Sequence, residues 1–121
     1  MGTDQKINVC HLISGDLWAG AEVQAYELLR SLATDPRLAL AVIVLNEGKL
    51  ADKLRNLKLP VTVIEESRHG FFEILRLAKD HLNQKSIDII HSHRYKENIL
   101  AGRLKEAGLA KYLVQTVHGA P

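Results

Sequence analysis

Residues 7–33 read INVCHLISGDLWAGAEVQAYELLRSLA, and this stretch decides the fold. It begins with a nearly continuous apolar run, Ile7–Ile13, of the length and composition of a strand covered on both faces. A loop with two glycines follows, and Ala21–Ala33 then places apolar residues along one helical face. The stretch therefore predicts a strand, a turn and a helix whose cap lies within residues 14–16.

The same alternation of apolar runs and helical periods continues along the rest of the chain. Four further strands are predicted at Leu40–Leu45, Val61–Ile64, Ile87–His91 and Tyr112–Val117. Three further helices are predicted at Leu50–Leu57, Phe71–Asn83 and Lys96–Ala107. The last of them ends at Gly108, which suits a left-handed cap. This alternation predicts an α/β fold with an open, doubly wound parallel sheet (Rossmann-like), in strand order 3-2-1-4-5. Ligands are expected at the carboxyl ends of its strands.

Length and charge limit the function classes. With 46% apolar residues, 121 residues can bury a substantial core, so residues 1–121 are expected to form a single domain. The formal net charge is +2, and basic and acidic residues are interspersed along the chain. This pattern lacks the basic face of a nucleic-acid-binding protein, so no nucleic-acid partner is expected.

The cysteine count and the absence of long apolar segments indicate the compartment. Cys10 is the single cysteine; it cannot form an internal disulfide, and we expect it to be buried in the first strand. No apolar stretch approaches the roughly 18 residues of a membrane span, and residues 1–6 do not resemble a signal peptide. A cytoplasmic protein with at most peripheral membrane association is expected.

The carboxyl-terminal end of the chain suggests that other parts of the protein are missing. Only residues 118–121 follow the last predicted strand, so no helix covers it. We therefore expect the chain to be a fragment of a larger α/β protein. Because an uncovered edge strand tends to pair with another chain, a homodimer of the fragment through this strand is also expected.

The loop after the first strand is a candidate anion site. Gly15 and Gly20 allow a ligand to approach the backbone, and the N-terminus of the following helix offers N–H groups to a phosphate. The spacing matches neither the G-x-G-x-x-G pattern nor a Walker loop. A tight turn that needs glycine for its geometry explains the same residues, and both interpretations remain open.

Three histidines, His91, His93 and His118, lie at or just beyond the predicted carboxyl ends of two adjacent strands. His91 and His93 are two positions apart, so both side chains point to one face if strand geometry persists. Imidazole can transfer protons, stabilise developing charge or bind metal, and we expect His118 to be functional. The other histidines are expected in the core (His11) and in solvent (His69 and His81).

Other polar and aromatic residues fall beside the same edge. Arg94 and Lys96 begin the fourth helix and could meet an anionic substrate, although a polar helix start explains them equally well. Glu22 could balance their charge or accept a hydrogen bond from a sugar hydroxyl. Trp18 is the single tryptophan, and its place in a loop suits either stacking on a sugar or base, or a lid over the core.

Five segments, in their order and spacing, resemble the amino-terminal domain of the family-4 glycosyltransferases, which are retaining, nucleotide-sugar-dependent enzymes of the GT-B type. The segments are INVCHLI at 7–13, the loop at 15–22 ending in GAE, NEGKL at 46–50, DIIHSH at 88–93 and QTVHG at 115–119. They extend over nearly the whole chain. The loop departs from the family in reading GDLWAG at 15–20, where many members carry adjacent glycines.

The resemblance implies an enzyme of two facing Rossmann-like lobes, of which this chain is the truncated amino-terminal lobe on the acceptor side. The expected donor is a nucleotide-sugar, the acceptor is undetermined, and no metal or other cofactor is expected. Because the carboxyl-terminal lobe supplies most nucleotide contacts in the family, the fragment alone is expected to be inactive. The resemblance assigns the donor's phosphates and sugar to Gly15, Asp16, Gly20, Ala21 and Glu22, the catalytic contact to His118, and the acceptor cleft to Trp18, His93, Arg94 and Lys96.

Two other functions remain open. A metal-dependent hydrolase could use His91, His93 and His118 with a nearby carboxylate, because H-x-H at a strand end is a common metal-binding arrangement. Only Asp88 and Glu97 lie nearby in sequence as carboxylate ligands. A non-catalytic α/β binding domain would have the same fold, since fold alone does not specify function.

Overall fold

Strands and helices alternate without exception in the computed structural model, which describes residues 5–116. The strands are β1 (Ile7–Ile13), β2 (Leu38–Val44), β3 (Val61–Val63), β4 (Ile89–Ser92) and β5 (Tyr112–Gln115). The helices are α1 (Gly20–Leu32), α2 (Lys49–Asn56), α3 (Phe71–Leu82) and α4 (Tyr95–Glu106). Predicted boundaries agree to within two residues over this range, and the predicted end of the last strand at Val117 lies outside it.

The five strands form one parallel sheet in the order β3-β2-β1-β4-β5. β1 is central: Ile7 to Ile13 pair with Leu38 to Val44, and Val9 to Leu12 pair with Ile89 to Ser92. The predicted α/β class, the open doubly wound sheet and the strand order are therefore confirmed. The order follows from short right-handed crossovers, which carry the chain outward from β1 in one direction and then in the other.

Helices cover both faces of the sheet. Alternate residues of β1 point to opposite sides, so Val9 and Ile13 pack with Leu29 of α1 and Leu50 of α2. The other side of the sheet buries Cys10 and Leu12 against α3 and α4. Burial on both faces explains why the sequence of β1 is almost uninterrupted by polar residues.

The N-terminus of α1 differs from the prediction. Its cap is Ala19 in an extended conformation, not a residue within 14–16, and its side chain makes no capping hydrogen bond. The helix itself begins within one residue of its predicted start, so the prediction of the cap was wrong because residues 14–16 lie too far upstream of Gly20 to cap it. The Asp16 carboxylate pairs with Arg94 instead. At the other end of the chain, Gly108 follows α4 with a φ of 83°, the predicted left-handed cap.

Cys10 is buried, as expected, and burial raises the pKa of its thiol to about 12. A thiol with so little thiolate is a poor nucleophile and a poor metal ligand at neutral pH. Across residues 5–116, we find no helix with the length and apolar character needed to cross a bilayer.

Candidate functional site

Gly15 has its backbone geometry imposed by the fold. Its φ is 73°, and a Cβ at this position would lie 2.5 Å from Cγ1 of Val44. Only glycine meets both conditions without strain. Gly20 is different, because a Cβ there would meet no atom of residues 5–116 within 4 Å. The tight-turn interpretation thus accounts for Gly15, whereas Gly20 borders open space at the N-terminus of α1.

Arg94, at the start of α4, bridges the loop and α1. Its Nη1 lies 3.1 Å from Oε2 of Glu22 and 3.4 Å from Oδ1 of Asp16. The Glu22 side chain is only 2% exposed, whereas Arg94 is 41% exposed. A buried carboxylate requires a partner, and Arg94 supplies one. The structure therefore brings together three residues that the sequence had placed at one edge of the sheet.

Lys96 contacts a second carboxylate, that of Glu66, through a close ion pair between Nζ and Oε1. Asn46 donates hydrogen bonds from Nδ2 to Oε2 of Glu66 (2.6 Å) and to the backbone oxygen of Ser14 (2.8 Å). Burial acts to raise the pKa of Glu66, but the hydrogen bonds from Lys96 and Asn46 outweigh it and lower the pKa. The sequence analysis did not identify Glu66 as part of this site. Its position just beyond the carboxyl end of β3 is the feature that could have indicated it.

Glu97 is the second buried carboxylate of this edge. It is 1% exposed, and its Oε1 accepts a hydrogen bond from the backbone N–H of Ser14 (3.2 Å). Burial raises its pKa, against the opposing effect of Arg94 and Lys96. The sequence had suggested Glu97 only as a carboxylate ligand for a metal. A buried carboxyl group with a raised pKa beside a cavity is typical of functional sites.

These side chains surround a cavity of about 250 Å³, here called the rim cavity, lined by Ser14, Asp16, Arg94, Lys96 and Glu97. Its lining carries two acidic groups, Asp16 and Glu97, and two basic groups, Arg94 and Lys96. Both cations are already paired with carboxylates, those of Asp16, Glu22 and Glu66. An anionic substrate would therefore have to displace carboxylates from both cations. Carboxylates accept hydrogen bonds readily, so the cavity is chemically suited to hydroxyl donors.

His91 and His93 share one face, as predicted: their rings are parallel within 7°, with centroids 4.4 Å apart. His11 of β1 stacks against both rings, and its Nδ1 lies 3.0 Å from Nε2 of His93. His11 is thus the hydrogen-bonded core histidine that we expected. Burial, followed by the proximity of His91 and His93, holds the pKa of His11 well below its ordinary value.

Comparison of the chain with models of known protein families gives no match. No curated protein matches the chain either. The resemblance to family-4 glycosyltransferases therefore stays a prediction carried by the residues themselves.

The remaining histidines are partly exposed or lie outside the described range. His69 pairs with Glu73, and His81 forms a 3.2 Å hydrogen bond with Thr62. Both rings keep some contact with solvent, as expected, and each also has a polar partner in the fold. His118, the predicted catalytic residue, lies outside residues 5–116.

Trp18 packs against the two helices that follow it in the chain. Its ring meets the edge of Tyr26 at 5.8 Å, and the ammonium groups of Lys49 and Lys53 lie 5.6 and 5.2 Å from its centroid. These contacts agree with the interpretation that Trp18 covers the part of the core beneath α1 and α2. They also leave the indole between aromatic and cationic groups, where an added ring could stack.

The edge strand β5 exposes apolar side chains. Tyr112 is 65% exposed and Val114 is 41% exposed. Pairing of two copies through this edge remains a prediction.

Proposed function

We propose that this chain is the amino-terminal, acceptor-side lobe of a retaining glycosyltransferase that transfers a sugar from a nucleotide-sugar to an acceptor hydroxyl. The observation that carries the proposal is the contact of Arg94 with both Asp16 and Glu22. It joins the loop assigned to the donor and the helix start assigned to the acceptor into one edge of a Rossmann-like sheet. Ligands of such sheets bind at this edge.

On the donor side, the open space at Gly20 and the N-terminus of α1 suit a phosphate group. Backbone N–H groups and the positive end of the helix dipole favour negative charge there. In the proposed reaction, the bond between the anomeric carbon and the phosphate oxygen breaks, and the acceptor oxygen bonds to the same face of that carbon. The acceptor proton passes to the departing phosphate.

On the acceptor side, both cations of the rim cavity are already paired with carboxylates, which favours a neutral molecule rich in hydroxyl groups. Glu97 is placed to accept a hydrogen bond from such a group, because its raised pKa and burial leave it poorly solvated in the absence of ligand. Arg94 and Lys96 act mainly by fixing the carboxylates around them.

A second lobe, which binds the nucleotide, completes the cleft in this proposal. His118 is expected to contact the donor sugar, an assignment that comes from the resemblance alone. A charge arrangement of this kind accelerates transfer only when it is held in place and shielded from water, so both lobes are needed.

The test is nucleotide release from a panel of UDP-, GDP- and ADP-sugars by a protein in which this lobe is joined to its nucleotide-binding lobe. We expect release from one donor, dependent on a hydroxyl-rich acceptor and lost in His118→Ala. His81→Ala is the control, because His81 bonds Thr62 of β3 and is not among the residues that line the rim cavity. No release from any donor, or release unaffected by His118→Ala, would overturn the proposal.

A further inference from the structure

The rings of His11, His91 and His93 form a compact cluster between β1 and β4, here called the histidine cluster. The register of the sheet sets His11 directly opposite His91, and His93 follows β4 on the same side. One nitrogen from each ring lies within 4.8 Å of one nitrogen from each of the others. His11 and His93 are almost completely buried, and His91 is half-buried.

Hydrogen bonding does not fully account for the position of His11. A single proton can lie between its Nδ1 and Nε2 of His93. Whichever ring carries it, Nε2 of His11 is buried with no hydrogen-bond partner among the residues that the structure describes. A buried polar atom without a partner is costly, so the hydrogen bond to His93 alone leaves the ring of His11 incompletely satisfied.

The spacing of the nitrogens approaches that of metal ligands. Two nitrogens bound to one tetrahedral zinc ion, each at about 2.0–2.1 Å, lie about 3.3 Å apart. Nδ1 of His11 and Nε2 of His93 are already 3.0 Å apart, inside that separation. The nitrogen of His91 lies within 4.8 Å of the other two, so its half-buried ring would have to turn out of its parallel stacking on His93 to reach the same range.

The hydrogen bond of His91 also favours metal binding. The Nε2 atom of His91 lies 2.6 Å from the Oγ1 atom of Thr116. When Nε2–H donates to this hydroxyl, Nδ1 retains a lone pair, and such outer hydrogen bonds orient metal-binding histidines.

We propose that His11, His91 and His93 bind one divalent transition-metal ion, with zinc as the expected ion. Three imidazoles without a hard oxygen ligand suit zinc, copper, nickel or cobalt rather than magnesium or calcium. The ion would connect β1 with β4, and because the three imidazoles fill three of the four tetrahedral positions, a water would take the fourth. This proposal is independent of the glycosyltransferase proposal and differs from a hydrolase centre that includes His118.

The first test measures metal content and binding of the purified chain. We expect one Zn²⁺ or Co²⁺ per chain, a higher melting temperature with the ion, and a visible Co²⁺ spectrum typical of tetrahedral nitrogen ligands. His91→Asn removes one of the three proposed ligands and should lower the affinity for Zn²⁺ by about 10- to 100-fold or more. Loss of only a hydrogen bond to a metal ligand already has an effect of that size. The matched control is His69→Asn, which removes the surface pair with Glu73.

Binding that is absent, or that is lost in His69→Asn and kept in His91→Asn, would overturn the proposal. A second measurement needs no variant. In the unmodified chain, addition of one equivalent of Zn²⁺ should shift the ring-nitrogen resonances of the histidine cluster. Shifts confined to other histidines, or no shifts at all, would overturn the proposal.

Discussion

The backbone N–H of Ser14, at the end of β1, donates a hydrogen bond to the buried carboxylate of Glu97 in the first turn of α4 (3.2 Å). The two residues are 83 positions apart in the chain. Together with the contacts of Arg94 to Asp16 and Glu22, this bond fixes the loop after β1 to the start of α4. Substitutions on α4 should therefore change the shape of the loop assigned to the donor.

Glu97→Gln should stabilise the chain at neutral pH. Burial raises the pKa of Glu97 above its ordinary value of 4.5, so the folded state binds its proton more tightly than the unfolded state does. The free energy of unfolding contributed by this group therefore falls as pH rises from 4.5 through the folded-state pKa. Glutamine keeps an oxygen for the N–H of Ser14 but carries no charge.

Urea denaturation of the wild type and of Glu97→Gln from pH 4 to pH 8 tests this expectation. The stability gained by Glu97→Gln over the wild type should be greatest at pH 8 and should shrink toward pH 4. Glu106→Gln, on an exposed part of the same helix, is the control and should show little difference. An advantage of Glu97→Gln that grew on acidification would contradict the sign derived above.

Gly15→Ala should destabilise the fold, and Gly20→Ala should not. The left-handed backbone at Gly15 costs a non-glycine residue about 1–2 kcal/mol, and the contact with Val44 adds to that. Gly20 begins α1 in open space, where alanine is tolerated or favourable. Chemical denaturation of both variants gives the comparison, and equal stabilities would show that Gly15 is not constrained as described.

Gly20→Ala also separates structure from function in the proposed enzyme. If a donor phosphate approaches the backbone there, the added methyl group should raise the KM for the nucleotide-sugar while the chain stays fully folded. An unchanged KM would place the donor elsewhere.

Arg94→Met should lower the free energy of unfolding by about 1–3 kcal/mol, because it leaves the buried carboxylate of Glu22 without its charged partner. Glu22→Gln in the same chain should recover part of the loss, since the amide is less costly to bury than a carboxylate. A double-mutant cycle measures the coupling.

The control for that cycle is Arg103→Met, an exposed position on α4 that should change stability by less than about 0.5 kcal/mol. Additive effects of Arg94→Met and Glu22→Gln would refute the described pairing.

Trp18 offers a fluorescence test of its two interpretations. Because it is the single tryptophan, its emission reports on one position. If it is only a lid over the core, Trp18→Phe should lower stability slightly, and sugars should leave the emission of the wild type unchanged. Saturable quenching of the Trp18 emission by a sugar acceptor would instead support stacking. Tyr26→Leu removes the ring next to Trp18, so it should alter the emission under both interpretations.

The fold was predictable because local periodicity and chain connectivity carry the necessary information. Both strands and helices were marked by apolar spacing, and right-handed crossovers left one simple strand order. The cap of α1 was not predictable in this way. The sequence offers Ser14 and Asp16 as ordinary capping residues, but α1 begins only at Gly20. The Asp16 carboxylate pairs with Arg94, and Oγ of Ser14 lies 3.5 Å from Oε2 of Glu66.

The candidate site was predictable only where residues follow strand ends. Arg94 and Asp16 could be placed at one edge because parallel strands all end there. The inclusion of His11 in the histidine cluster depended on the register that sets it opposite His91. The pairing of Glu66 with Lys96 depended on how the segment after β3 folds back, which no local pattern encodes.

The burial of Cys10 has a practical consequence for spectroscopy. Its thiol, with a pKa raised to about 12, should not react with maleimides at neutral pH. A second cysteine placed at Leu17, which is 60% exposed in the loop before α1, would then be the one site labelled. A dye or spin label attached there would report ligand-dependent movement of the loop without removal of the native cysteine.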